Sequence, residues 1–260
     1  MMSSANLARS EKALSLGITA EEWAQRVELA ACYRIFDLLG WTEFIFNHIT
    51  LRVTGPERHF LINPFGLWYS EVTASNLVKI DLDGNTIGKS EWPVNKAGFI
   101  IHSAIHAARS DAHCVMHTHT TAGVAVACQE EGLSAHNFYG SQLRGRVAYH
   151  DFEGISVELD ERPRLVESLG RHNVLLLRNH GLLVCGGTVP EALQRMMTVQ
   201  RACEVQLAAE ASGKTITQIP AEICERAGKQ GEAFDPAGYG TRLFTALQRR
   251  IDGIDPSYRE

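Results

Sequence analysis

Two histidines one residue apart, His117 and His119, stand in the segment AHCVMHTHT, which alternates in the manner of a strand. Residues two apart in an extended chain point to one side, so His113, His117 and His119 share a face while Cys114, Met116 and Thr118 turn the other way. Neutral imidazoles that converge on one point bind divalent transition metals well, and three protein ligands leave a position open for chemistry. His180, in RNHGLL, is a candidate third ligand, because a turn between two apolar strands can hold a side chain at the rim of a sheet. The competing reading is a set of ordinary, partly buried histidines hydrogen-bonded to backbone. For a His-x-His at a strand end the metal reading is preferred, but spacing alone does not choose the third ligand.

Two more histidines, His102 and His106, lie four residues apart in AGFIIHSAIHAARS and so share one face of a predicted helix. They read either as a packing pair or as groups that move or position a proton. In AHNFYG, His136 and Tyr139 could supply a proton donor, although that stretch also reads as a plain loop.

These side chains need elements to hold them. ITAEEWAQRVELAACYRIFDLLG predicts a helix, with Thr19 and Glu22 in capping-box spacing and Gly40 as its stop. EFIFNHITLRV, HFLINPFG and LVKIDLDGNTI predict strands of an antiparallel sheet. TAGVAVACQEEG predicts the helix that leaves the His-x-His strand, ERPRLVESLG another, and NVLLLRNHGLLVCGG two buried strands around an Asn-His-Gly turn. The longest helix is expected in TVPEALQRMMTVQRACEVQLAAEASG, with Thr188 and Glu191 at its start and Gly213 past its end. Strand character fades from about Lys214, and GYGTRLFTALQRRIDGI suggests a terminal helix.

A chain of 260 residues, 45% hydrophobic and 21% charged, suits one globular domain with an appended tail. The division expected is 1–213 for the domain and 214–260 for a helical tail packed on it or on a neighbouring subunit. The formal charge of -5 comes with no basic cluster beyond local pairs such as Arg249 and Arg250, which argues against nucleic acid or an anionic membrane as partner. No segment has the apolar length of a signal peptide core or a membrane span, so a cytoplasmic location is expected. Six cysteines without a CxxC pair read as reduced and structural.

Taken in order, GWTEFIFNHITLRV, NPFGLWYSEVTASNLVKIDLDGN, AGFIIHSAIHAARSDAHCVMHTHT, VAYHDFEGISV and LLLRNHGLLVCGGTVPEAL resemble the class II aldolase/adducin family, especially its adducin-head-like branch, over about residues 20–212. The resemblance implies a three-layer α/β/α fold around a mainly antiparallel sheet, assembled as a cyclic homotetramer with sites between subunits. It places a divalent metal, Zn2+ first with Mn2+ or Fe2+ as alternatives, on His117, His119 and His180. In the family's aldolases that metal chelates hydroxyl and carbonyl oxygens of a substrate and stabilises the enediolate left when a carbon–carbon bond breaks.

The sequence also departs from the family's aldolases. The position of their catalytic glutamate falls at Gly98, the Ser-Ser that helps hold a substrate phosphate becomes Lys96-Ala97, and the Thr-Gly of the phosphate loop becomes Phe65-Gly66, while Asn47 is kept. This implies a metal-dependent lyase, an aldolase or decarboxylase, for a small hydroxy- or keto-carboxylate that is not a simple sugar phosphate. The expected substrate contacts are Asn47, Phe65, Gly66 and Lys96, with His102, His106 and Tyr139 as candidates for proton transfer. Two alternatives stand beside it: a non-heme metal oxygenase on the same three histidines, and a non-catalytic adducin-like interaction module.

Overall fold

The structure is a computed structural model that describes residues 13, 15–155 and 159–260. The amino-terminal stretch read for targeting signals lies mostly outside the described residues.

Helix α1 (Ala20–Leu39) begins where Thr19 Oγ1 accepts the Glu22 N–H at 3.1 Å and ends at Gly40, whose φ of 70° is the left-handed cap. Glu22 does not complete the capping box. Its carboxylate instead pairs, in buried surroundings, with Arg26 at 2.9 Å and Lys79 at 2.8 Å, tying α1 to an edge of the sheet. Among the described residues seven strands follow: β1 (His48–Arg52), β2 (Phe60–Ile62), β3 (Val78–Ile80), β4 (Cys114–Thr118), β5 (Val147–His150), β6 (Val174–Leu177) and β7 (Gly181–Gly186). They form one sheet in the order β3-β2-β1-β4-β7-β6-β5, antiparallel except for the β5–β6 pair.

The His-x-His strand β4 is central and buried along its whole length, and α3 (Thr121–Ala127), capped by Thr120, leads away from it. Cys114 and Met116 face a large core formed with α1 and with α6 (Val189–Glu210), which Thr188 caps. Val115 faces a second core, with Leu183 and Leu175, under α2 (Lys96–Ala108) and α5 (Glu161–Leu169). Period-two alternation thus sorts one strand between two helical layers, giving the three-layer α/β/α arrangement.

Three expectations need correction. Glu43–Phe46 is not strand but a loop, with Phe44 at φ 49° and the Phe44 and Phe46 rings exposed against Trp68 and Phe65. The segment around Tyr139 is not a loop but helix α4 (Phe138–Leu143), because the Asn137 side chain caps the N–H groups of Tyr139 and Gly140. A helix absent from the sequence reading, α7 (Ala221–Ala233), precedes the expected terminal helix α8 (Thr241–Asp252). Gly228 and Gly231 weaken its helical pattern, but they let it lie against Arg146 and Gln142 beside α4. Beyond residue 213, α8 packs on α1 and α6, and a terminal 3-10 turn, Pro256–Arg259, packs on α1 with Tyr258 fully buried. Among the described residues no helix is long and apolar enough to cross a membrane.

Candidate metal centre

Strand β4 delivers His117 from its buried interior and His119 from just beyond its end, while the tight β6–β7 turn delivers His180. The turn needs two backbone features. Asn179 takes the left-handed conformation, φ 57°, which asparagine tolerates better than most residues. Gly181 lies so close to β4 that an added Cβ would meet the Thr118 carbonyl oxygen at 2.3 Å, so only glycine lets the turn close onto His119.

The Nε2 atoms of His117 and His119 are 2.7 Å apart, those of His119 and His180 3.0 Å, and those of His117 and His180 3.2 Å. Corners of such a triangle all lie within about 2 Å of a common point, the bond length of imidazole nitrogen to zinc. His117 Nδ1 donates to the Leu182 carbonyl at 2.8 Å, which places its proton on the far nitrogen and leaves the Nε2 lone pair facing its neighbours. Burial, then the neighbouring imidazoles, hold His117 well below the usual histidine range and bring His180 down to about 4; burial also lowers His119. The three rings are therefore neutral at physiological pH, the form that binds metal. These residues fit a divalent cation.

The other expected site residues are distributed unevenly. Lys96, exposed at the start of α2, and Phe65 line the same cavity as the three histidines. Gly66, next to Phe65, is exposed and does not line it. Asn47 is fully engaged in holding backbone, donating to the Trp41 carbonyl and accepting the His119 N–H, both at 3.1 Å. It positions His119 and does not face the cavity, which corrects its assignment as a substrate contact. His102 and His106 are buried behind the cavity wall, both bond to Thr50, and neither lines the cavity. Tyr139 sits in a separate groove with Phe138, Met197 and Phe234, and the two linings share no residue. His136 accepts the Ile219 N–H, and His113 is exposed outside the trio.

Among the residues that sequence reasoning missed are His48 and the Glu43 carboxylate, both of which line the cavity. His48 faces the cavity directly opposite His117 in the β1–β4 register, with ring centroids 5.1 Å apart. Its ring fills the space that a side chain at position 98 would need: a Cβ on Gly98 would meet His48 Cδ2 at 2.5 Å. Alternation from Thr50 to His48 on one strand was the available signal. The cavity itself is about 520 Å³, with Phe46, Phe65, Ile101, Phe152 and Ile155 around its mouth and walls.

Comparison with known proteins gives the site a context. Residues 27–207 match the family model described as Class II Aldolase and Adducin N-terminal domain. A crystal structure of an aldolase II superfamily protein from Pseudomonas syringae is 43% identical, with a TM-score of 0.88, covering 94% of this chain and 98% of that one. An L-fuculose 1-phosphate aldolase from Glaciozyma antarctica is 28% identical, with a TM-score of 0.82, covering 93% of this chain and 94% of its own. Alpha-adducin of Rattus norvegicus is 43% identical over 243 residues, which cover 88% of this chain but 33% of the adducin. The chain belongs to the class II aldolase and adducin family.

Proposed function

We propose that this protein is a metal-dependent carbon–carbon lyase, an aldolase or decarboxylase, for a small hydroxy- or keto-carboxylate other than a simple sugar phosphate. The observation that carries the proposal is three neutral imidazole nitrogens 2.7–3.2 Å apart at the base of a largely apolar cavity. His117, His119 and His180 would hold the cation, with zinc the first expectation. When bound there, such a cation supplies Lewis-acid polarisation of a substrate oxygen.

The remaining residues select and orient the substrate. Among the described residues that line the cavity there is no serine or threonine hydroxyl to cradle a phosphate, whereas Phe46, Phe65 and Phe152 offer aromatic faces. The Lys96 ammonium at the rim suits one carboxylate. An aromatic or branched apolar acid matches this division, with its carboxylate toward Lys96 and its oxygen-bearing carbon toward the three imidazoles. Exposed apolar side chains at the mouth, Phe46, Phe152 and Ile155 among them, support a homotetramer in which a neighbouring subunit completes the rim. The test is release of carbon dioxide or of an aldehyde from a panel of such acids by zinc-loaded protein. Activity that His119→Ala abolishes supports the lyase.

A second reading is favoured by one comparison: the chain is closer in identity to rat alpha-adducin, at 43%, than to the L-fuculose 1-phosphate aldolase, at 28%. On that reading the domain is an interaction module. It predicts no turnover with any of the panel and no need for tight metal binding.

A further inference from the structure

Behind the cavity a chain of hydrogen bonds crosses the layer between β1 and α2. His48 Nδ1 lies 2.9 Å from His102 Nε2, and His102 Nδ1 lies 2.7 Å from Thr50 Oγ1. The same Oγ1 lies 2.7 Å from His106 Nε2, and His106 Nδ1 lies 3.0 Å from the Ala112 carbonyl oxygen. All four side chains are buried, and no carboxylate touches any of them among the described residues. The three rings are accordingly neutral, each with one N–H and one lone pair.

One end of the chain has no choice of role. A backbone carbonyl only accepts, so His106 carries its proton on Nδ1 and presents a lone pair at Nε2. Thr50 must then donate to His106, which obliges its oxygen to accept from His102 Nδ1–H. His102 Nε2 is left with a lone pair and accepts from His48 Nδ1–H. The last member in the sequence, His48 Nε2, therefore carries a lone pair, and His48 lines the cavity beside His117.

We propose that His48 is a specificity-determining hydrogen-bond acceptor, its Nε2 lone pair held toward the cavity by the His102–Thr50–His106 chain anchored on the Ala112 carbonyl. It receives the hydroxyl proton of a hydroxy acid and leaves a keto acid or a deoxy analogue without a partner. Gly98 belongs to the same device, because any side chain there would displace the His48 ring. His102, Thr50 and His106 are positioning residues: they act on substrate only through the tautomer of His48. The substrate role rests on the lyase reading above, whereas the tautomer chain does not.

The test reads the tautomers directly, by long-range proton–nitrogen correlation spectra of zinc-loaded protein labelled with nitrogen-15 at histidine. Assignments come from single substitutions at His48, His102 and His106. The expected result is three neutral rings protonated at Nδ1. Thr50→Val, which removes the linking hydroxyl, is expected to turn His48 into a mixture of tautomers, and Thr50→Ser to retain the wild-type pattern. A proton on Nε2 of His48 in the wild type, or a Thr50→Val spectrum unchanged at His48, overturns the proposal. If Thr50→Val does not fold, the wild-type and Thr50→Ser spectra still decide it.

Calorimetric titration of the same zinc-loaded protein with mandelate and with phenylacetate, which lacks only the hydroxyl, tests the substrate role. Wild type is expected to prefer mandelate by at least about tenfold, and His48→Phe to lose the preference. Equal binding by the wild type overturns the acceptor role even with the tautomers as drawn. Binding of neither acid counts against the hydroxy-acid reading of the cavity, and the spectra alone then decide the chain.

Discussion

Acidification should destabilise this fold through His106 in a way that can be measured. The ring is fully buried, bonds to the Ala112 carbonyl and to Thr50, and packs on Phe60 at a centroid distance of 4.9 Å. Burial first, then the Arg52 guanidinium, brings its pKa down from 6.5 to about 3, and His113 pushes the same way. In the unfolded chain the ring takes up a proton near its ordinary value, so below that pH the unfolded state binds more protons and stability falls with pH. The window opens at 6.5 and closes at the folded value of about 3. From its top to pH 5.0 is about 1.5 units, which at 1.36 kcal/mol per unit costs about 2 kcal/mol. Depressed carboxylates such as Asp111 and Asp255, at about 2, lose their contribution below their ordinary value of 3.8 and so fall outside this interval. The assay is urea denaturation of metal-free wild type and His106→Asn at pH 7.5 and 5.0. Whatever the variant loses at pH 7.5, its further loss at pH 5.0 should be smaller than the wild type's by about 2 kcal/mol. Equal losses in the two proteins would refute the claim that His106 is buried neutral.

Other outcomes follow from close approaches and from the site. Gly98→Ala forces a Cβ to 2.5 Å from the His48 ring, so a stability loss of about 1–3 kcal/mol is expected in chemical denaturation, with a changed His48 resonance. Gly181→Ala drives a Cβ into the Thr118 carbonyl at 2.3 Å, and its zinc affinity should fall at least about tenfold, because His180 moves away from its partners. Zinc at a hundredfold excess over its dissociation constant should raise wild-type stability by about 2.7 kcal/mol, read as a shift in denaturation midpoint, and leave His119→Ala nearly unmoved. Lys96→Met should weaken carboxylate binding without altering zinc affinity, since Lys96 lines the cavity but is not one of the three ligands.

What could be read before the fold was known depended on range along the chain. The His-x-His needs only strand periodicity, and the Asn-His-Gly turn needs only a local turn between apolar runs, so both were visible as chemistry. Their convergence was not visible from spacing. It depends on β7 lying beside β4 in the register that sets His117 opposite Leu183 and brings the turn to the strand's end. His48 was hidden for the same reason: a histidine on β1 becomes a site residue only through the pairing that places it against His117. Asn47 illustrates the opposite error, because its side chain turns away from the cavity into backbone contacts while its neighbour faces in. Local rules located α1 and α6 through their threonine caps but missed α7, where two internal glycines serve packing and not propensity. The loop at Glu43–Phe46 read as strand because aromatic alternation also suits a cavity rim.

The central claim is that His117, His119 and His180 together hold one divalent cation. Calorimetric titration of chelator-stripped protein with zinc tests it most directly, with each histidine replaced by alanine in turn. The account predicts one ion per chain bound at micromolar affinity or tighter, and a loss of at least about a hundredfold in each of the three variants. No saturable binding by the wild type, or binding that survives all three replacements, would contradict it.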